Sequence, residues 1–164
     1  MTTVYTTQFS THGHTFWLGT TLNGLCFVGS PDASQNEMAQ FLPADTTYQL
    51  DRTHNEHALN ALDAYWNGQS QSFDLPLDFL QGTLLRKQVW QALQTIPYGQ
   101  TVTYTELAEQ SGHSDAVRAV ASAVGKNPLL IVVPCHRVLR KDGSLGGYRG
   151  GEPMKKTLLA LEQH

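Results

Sequence analysis

A cysteine followed directly by a histidine and an arginine, in Ile131-Val132-Val133-Pro134-Cys135-His136-Arg137-Val138, is the stretch of this 164-residue chain best equipped for chemistry. A thiol is a good nucleophile only as the thiolate, and forming one needs a base or a positive charge nearby. His136 or Arg137 can supply either. The apolar, β-branched residues ahead of Cys135 predict a short buried strand. Pro134 has no N–H for a central ladder, so the strand ends there and the thiol stands at its tip. On this reading the thiolate forms below the ordinary cysteine value of about 8.5. The competing expectation is that Cys135 merely fills core space, as a free cysteine usually does. The Cys-His pair alone does not separate the two.

The elements around the pair carry more information. Thr83 is placed to cap a helix over Leu84 to about Gln94, with Leu85, Val89 and Leu93 on one face. Ile96-Pro97-Tyr98-Gly99 breaks it. Thr103-Tyr104-Thr105-Glu106 is a capping box that opens a helix ending before Gly112. Ser114 is expected to cap the next helix, Asp115 to Val124. Two short helices joined by a tight Gly-containing turn make a helix-turn-helix. Val117, Val120 and Val124 form the core stripe of the second helix, and Arg118, Ala119, Ser122 and Ala123 the opposite side. An outer face of small residues lets a backbone approach closely, and one long cation projects from it. High alanine content also follows from helix propensity alone, but in a basic half it favours close approach to DNA.

After Cys135, Asp142-Gly143 marks a turn, and the glycines of Gly146-Gly147-Tyr148-Arg149-Gly150-Gly151 predict close backbone approach to a ligand. Tyr148 within that loop suggests a pocket wall. Pro153 suits the start of a last helix, with Met154, Leu158 and Leu161 facing the core. Glu162 borders that stripe. It is placed to orient a histidine, although its residue type alone favours a solvated helix end.

The first half reads differently. Tyr5 to Phe9, Thr15 to Thr20 and Leu25 to Val28 predict strands, with a hairpin turn at Asn23-Gly24. Asn55 to Asn67 predicts a helix with an apolar stripe of Ala58, Leu59, Leu62, Tyr65 and Trp66, closed by Gly68. His12 and His14 are expected on one strand face. Together with Cys26 and His57 they fit no zinc spacing, so no metal is expected. Up to Gln81 there is one base, Arg52, against eight acids. From Gly82 there are ten bases against six acids. A segregated positive half suggests an anionic partner, nucleic acid first. Two cysteines build no disulfide framework, and no apolar run approaches membrane-spanning length. No membrane association is expected, and a reducing, cytoplasmic setting is (nuclear in a eukaryote).

From Gly82 to Glu162 the chain resembles the methylated-DNA–protein-cysteine methyltransferases, or O6-alkylguanine-DNA alkyltransferases. The residues that carry the resemblance are Val89-Trp90, Ile96-Pro97-Tyr98-Gly99, Val102-Thr103-Tyr104, Arg118-Ala119-Val120, Gly125-Lys126-Asn127-Pro128, Pro134-Cys135-His136-Arg137-Val138 and Gly147-Tyr148-Arg149-Gly150-Gly151. It implies an α+β fold in two domains. Residues 1–81 would form a small sheet-plus-helix domain of unclear role. Residues 82–164 would form a mostly helical domain with a DNA-binding helix-turn-helix. It also implies direct-reversal repair, in which one alkyl group passes from O6-alkylguanine, or less well O4-alkylthymine, to Cys135. No cofactor is implied, and the protein acts once, as a monomer on double-stranded DNA.

The resemblance assigns the roles. His136 takes the thiol proton through a water and Glu162 holds its imidazole. Tyr104 donates toward guanine N3, and Asn127 buttresses the helix-turn-helix against the active-site segment. The carbonyls of Cys135 and Val138 accept from the guanine amino group. Trp90, Leu130, Tyr148 and Arg149 belong to the pocket. Arg118 fills the gap left by the flipped base, while Ala119, Ser122 and Ala123 lie against the minor groove. Leu85-Arg86 and Leu130 depart from the usual family residues, the second at a position where some members place a proline against the substrate. A lesion-binding module without transfer chemistry would lack Cys135. A Cys–His hydrolase would need oxyanion donors and leaves the basic helix-turn-helix unexplained.

Overall fold

The computed structural model describes residues 1–163. The chain divides into two compact units, Met1–Gln81 and the remainder from Gly82. The first unit is built on a four-stranded sheet of β1 (Thr3–Thr11), β2 (His14–Thr20), β3 (Leu25–Val28) and β4 (Thr47–Leu50), in the order β3-β2-β1-β4. β1 and β2 are a hairpin in which Thr11 faces His14. His12 and Gly13 form its turn with φ of 49° and 81°, so His12 and His14 do not share a strand face. β3 adds antiparallel to β2, and β4 adds parallel to β1 at the other edge. β4 escaped the sequence reading because its four residues are all exposed and show no alternation.

A helix, α1 (Glu56–Trp66), buries Ala58, Leu59, Leu62, Tyr65 and Trp66, the stripe its spacing predicts. Val4, Cys26, Phe27, Met38 and Leu42 close a further cluster under the sheet. Cys26 is one of its fillers. Among the described residues no group of three or more His, Cys, Asp or Glu could hold a metal ion.

The second unit is mostly helical: α2 (Leu84–Leu93), α3 (Tyr104–Gln110), α4 (Val117–Gly125) and α5 (Glu152–Leu161). Thr83 caps α2 by accepting from Arg86 N–H. Thr103 and Glu106 form both bonds of the capping box that starts α3. α4 departs from expectation. It begins two residues later than Asp115, and Ala116 stands at its cap without a side-chain bond, so Ser114 does not cap it. The turn before α4 is held from outside instead, by His113 Nε2 paired with Gln88 Oε1 of α2 at 2.7 Å. The four helices, two of them forming the helix-turn-helix, and the sheet of the first unit make an α+β chain.

Two short strands tie the helices to the chemistry. β5 (Val102–Thr103) runs parallel to β6 (Val138–Leu139), with Val102 opposite Val138. β5 leads directly into Tyr104 at the start of α3, and β6 follows Cys135 by three residues. The pairing therefore fixes the start of α3 against the segment that carries Cys135, and Tyr104 and Cys135, 31 positions apart in sequence, line one cavity. Among the described residues no helix is long and apolar enough to cross a membrane.

Candidate active site

Ile131 to Val133 is not a strand. Ile131 has φ of 72°, a region that a β-branched side chain rarely enters. Val132 N–H donates to the Leu130 carbonyl at 2.7 Å and Val133 N–H to that of Leu129 at 3.0 Å. Cys135 N–H then closes a second tight turn onto Val133 O at 2.8 Å. The apolar run predicted burial correctly, since Leu129 to Val133 are all buried. It predicted the wrong backbone because composition does not tell a buried strand from a buried turn. Asn127 holds this arch. Its amide donates to the carbonyls of Val133 (2.9 Å) and Leu129 (3.3 Å), and its Oδ1 accepts from Leu129 N–H (2.9 Å).

Cys135 opens a single helical turn, Cys135–Arg137, and is 3 % exposed. His136 is buried, and its Nε2 lies 2.7 Å from Glu162 Oε2. Glu162 is buried as well, against the expectation from residue type. Arg137 explains why. Its Nε reaches Glu162 Oε1 at 2.8 Å, its Nη2 reaches Oε2 at 3.0 Å, and its Nη1 donates to Ile96 O at 2.7 Å. A forked guanidinium matches a carboxylate in this bidentate way. Gly99 N–H adds a fourth donor to Glu162 at 3.3 Å. Sequence reasoning placed a charge beside the thiol in Arg137. The fold spends that charge on Glu162 instead.

The titration of the pair follows from burial. Burial pushes the Cys135 thiol up, while a hydrogen bond from Asn127 and the charges of Arg149 and Lys155 pull it down. The net direction is upward, which overturns the expectation of a thiolate below the ordinary value. Burial also lowers His136, against an opposing pull from Glu162. At neutral pH the site therefore holds a neutral thiol beside a neutral imidazole, with His136 Nδ1 buried and making no hydrogen bond among the described residues. An imidazole in that state is a competent base.

Above the thiol lies a cavity of about 500 Å³, a size usual for small-molecule sites. α4 contributes Val117, Arg118, Ala121, Val124 and Gly125, and the start of α3 contributes Tyr104. The segment after β6 contributes Arg140, Gly147, Tyr148 and Arg149, and Cys135 lies on the cavity surface. Burial, and then the nearby Cys135, raise the Tyr104 hydroxyl above its ordinary value, so it keeps its proton. The Tyr148 hydroxyl is buried without a hydrogen-bond partner among the described residues. Arg149 Nη2 donates to Asn127 O at 3.0 Å.

Some expected residues lie elsewhere. Trp90 is 3 % exposed in the core and its indole N–H donates to Ala123 O at 2.8 Å. Ala123 is buried too, so of the four residues expected on the outer face of α4 only Arg118, Ala119 and Ser122 are exposed. Leu130 and Val138 are buried and do not line the cavity, and the Val138 carbonyl accepts from Lys155 Nζ at 2.7 Å. A helix viewed as two faces misassigns its flanks. Ala123 lies on one flank and is buried, while Ala121, two residues before it and so on the opposite flank, faces the cavity. Lys155 was missed because a lysine is read as solvated. Its place three residues before Leu158, on the core stripe of α5, was the available signal.

The description "6-O-methylguanine DNA methyltransferase, DNA binding domain" belongs to a family model that matches residues 84–164. An inducible methylated-DNA–protein-cysteine methyltransferase of Bacillus subtilis is 41% identical over 152 residues, 90% of this chain and 84% of that protein. One of Mycolicibacterium paratuberculosis is 50% identical over 126 residues, 73% of this chain and 76% of the relative. Among solved structures, the O6-methylguanine methyltransferase of Mycobacterium tuberculosis matches with a TM-score of 0.84 at 35% identity, over 98% of this chain and 93% of that one. The same organism's OGT in complex with DNA matches with a TM-score of 0.81 at 36% identity, over 98% and 92%.

Proposed function

The chain belongs to the family of methylated-DNA–protein-cysteine methyltransferases, and from that premise we propose how its own residues carry out direct reversal of O6-alkylguanine in DNA. The alkylated nucleotide leaves the stack, because its reacting atom is out of reach inside a duplex. It enters the cavity from the minor-groove side, with Arg118 taking its place in the stack and Ala119 and Ser122 against the backbone.

His136 takes the thiol proton, through a water at Nδ1, as Cys135 Sγ attacks the alkyl carbon. An S–C bond forms and the C–O6 bond breaks. The electron pair stays on guanine, and the Tyr104 hydroxyl protonates N3 as the base leaves. Glu162, held by Arg137 on its other side, fixes the imidazole and stabilises the imidazolium once formed. Burial that keeps the resting thiol neutral fits this order. The proton moves when substrate is in place, and the idle thiol is shielded. A thioether has no easy hydrolysis, so each molecule acts once. We place the activity in the compartment that holds the DNA, the cytoplasm where there is no nucleus.

The observation that carries this reading is a cavity bearing a thiol, Cys135, whose sequence neighbour His136 is paired with a buried Glu162. Cys26 instead fills a hydrophobic cluster of the first unit, where burial and Asp78 push its thiol up to about 12. After mixing with an O6-methylguanine oligonucleotide, mass analysis of peptides is expected to find one added methylene on the Cys135 peptide and none on that of Cys26. A label on Cys26, or repeated turnover with unmodified protein, overturns the proposal. Tight binding of the lesion with no mass change would make the chain a recognition module.

A further inference from the structure

The cavity wall carries three arginines and no carboxylate. Arg149 points inward and bonds the Asn127 carbonyl. Arg118 projects from α4. Arg140 has no role in the chemistry, and its place is well defined. It follows β6 directly. Its N–H donates to Ser144 O and its carbonyl accepts from Gly143 N–H, both at 2.9 Å. The nearest acid in sequence, Asp142, turns its carboxylate onto the backbone N–H (3.0 Å) and hydroxyl (2.7 Å) of Ser144. Arg140 exerts a weaker pull on that carboxylate than Ser144 does. The side chain is exposed and lies on the same rim as Tyr104. A Cβ at Gly146 would stand 3.1 Å from the Tyr104 hydroxyl and 3.5 Å from Arg140 Cγ.

A base lodged in this cavity brings its flanking phosphates to the rim, and an exposed guanidinium matches phosphate geometry. We propose that Arg140 grips a backbone phosphate of the extruded nucleotide and so holds the base in the cavity. This rests on the repair reading above. The role differs from that of a residue that fills the stack. A stack filler matters only where there is a duplex to fill. A phosphate grip acts on any strand with a backbone, single or double, and has nothing to hold on a free base.

The test compares single-turnover transfer rates of wild type, Arg140→Gln and Arg140→Lys on a duplex, a single-stranded O6-methylguanine oligonucleotide and free O6-benzylguanine. For Arg140→Gln the ratio of oligonucleotide to free-base rate is expected to fall roughly tenfold on both single and double strands, the size of one charge-assisted contact. The salt dependence should flatten by about one unit of slope or somewhat less, and Arg140→Lys should restore part of both. An unchanged ratio overturns the proposal, as does a loss confined to the duplex or one equal on all three substrates. Failure of wild type on every substrate would instead sink the repair reading.

Discussion

At the scale of single residues, the site works by keeping charges off until they are needed. His136 is neutral because burial outweighs the pull of Glu162. A histidine whose folded value lies below its unfolded value of about 6.5 binds its proton later in the fold than in the unfolded chain. Its contribution to stability is therefore complete above about pH 6.5 and drains away as pH falls through the lowered value. An NMR titration should show the His136 imidazole still neutral at pH 6.5, and transfer should slow with acid in step with its protonation. A His136 transition above 6.5 would contradict this. Glu162→Gln is a less selective probe than residue type suggests. It leaves the guanidinium of Arg137 buried beside a neutral amide, which should cost about 3–5 kcal/mol in urea unfolding. His136→Asn spares that pair and should slow transfer by roughly 10²-fold or more with DNA affinity retained.

At the scale of elements, the pocket depends on one lysine that joins three segments. Lys155 of α5 is buried, and its ammonium donates to the carbonyls of Val138, Leu145 and Gly147. The first belongs to β6 and the other two to the glycine-bearing loop that leads into Tyr148. Lys155→Met keeps most of the stem but strands these carbonyls, at a cost of at least about 2 kcal/mol. Urea unfolding should show that loss, and amide exchange at Leu145 to Gly147 should accelerate. Unchanged exchange would mean that the loop is held by its own turns. The capping box of α3 and the cap of α2 were legible in the sequence because a cap is a local bond between residues three apart. The start of α4 was not. His113 is held by Gln88, 25 positions away, and no local pattern reports such a bond.

For the whole molecule, charge is divided between the units. The first carries one base and eight acids, the second ten bases and six acids. DNA affinity should therefore fall linearly with salt on logarithmic axes, by about 0.9 per phosphate neutralised. Lys126 is exposed just beyond α4. Lys126→Gln should weaken damaged and undamaged duplex alike and lower the slope by about one. Arg118→Ala should behave differently, slowing repair in duplex strongly and on single strands much less, since only the duplex has a stack to refill. Equal effects of the two variants across substrates would remove the distinction between a phosphate contact at Lys126 and a stack filler at Arg118.

The sequence by itself determined much of this protein. Pro-Cys-His-Arg-Val, its neighbouring motifs and the charge division pointed to the chemistry and the partner, and period-2 and period-3.6 patterns located three of the four strands of the first unit's sheet and the main helices. These are local signals, carried by residues a few positions apart. What only the tertiary structure decided depends on partners distant in sequence. Arg137 serves Glu162 rather than Cys135 because the two meet across 25 positions. Ile131 adopts a strained turn because Asn127 and the Leu129 carbonyl hold it there. The thiol is raised rather than lowered because three-dimensional burial, which one-dimensional proximity to histidine and arginine cannot measure, removes the water that would have solvated its charge.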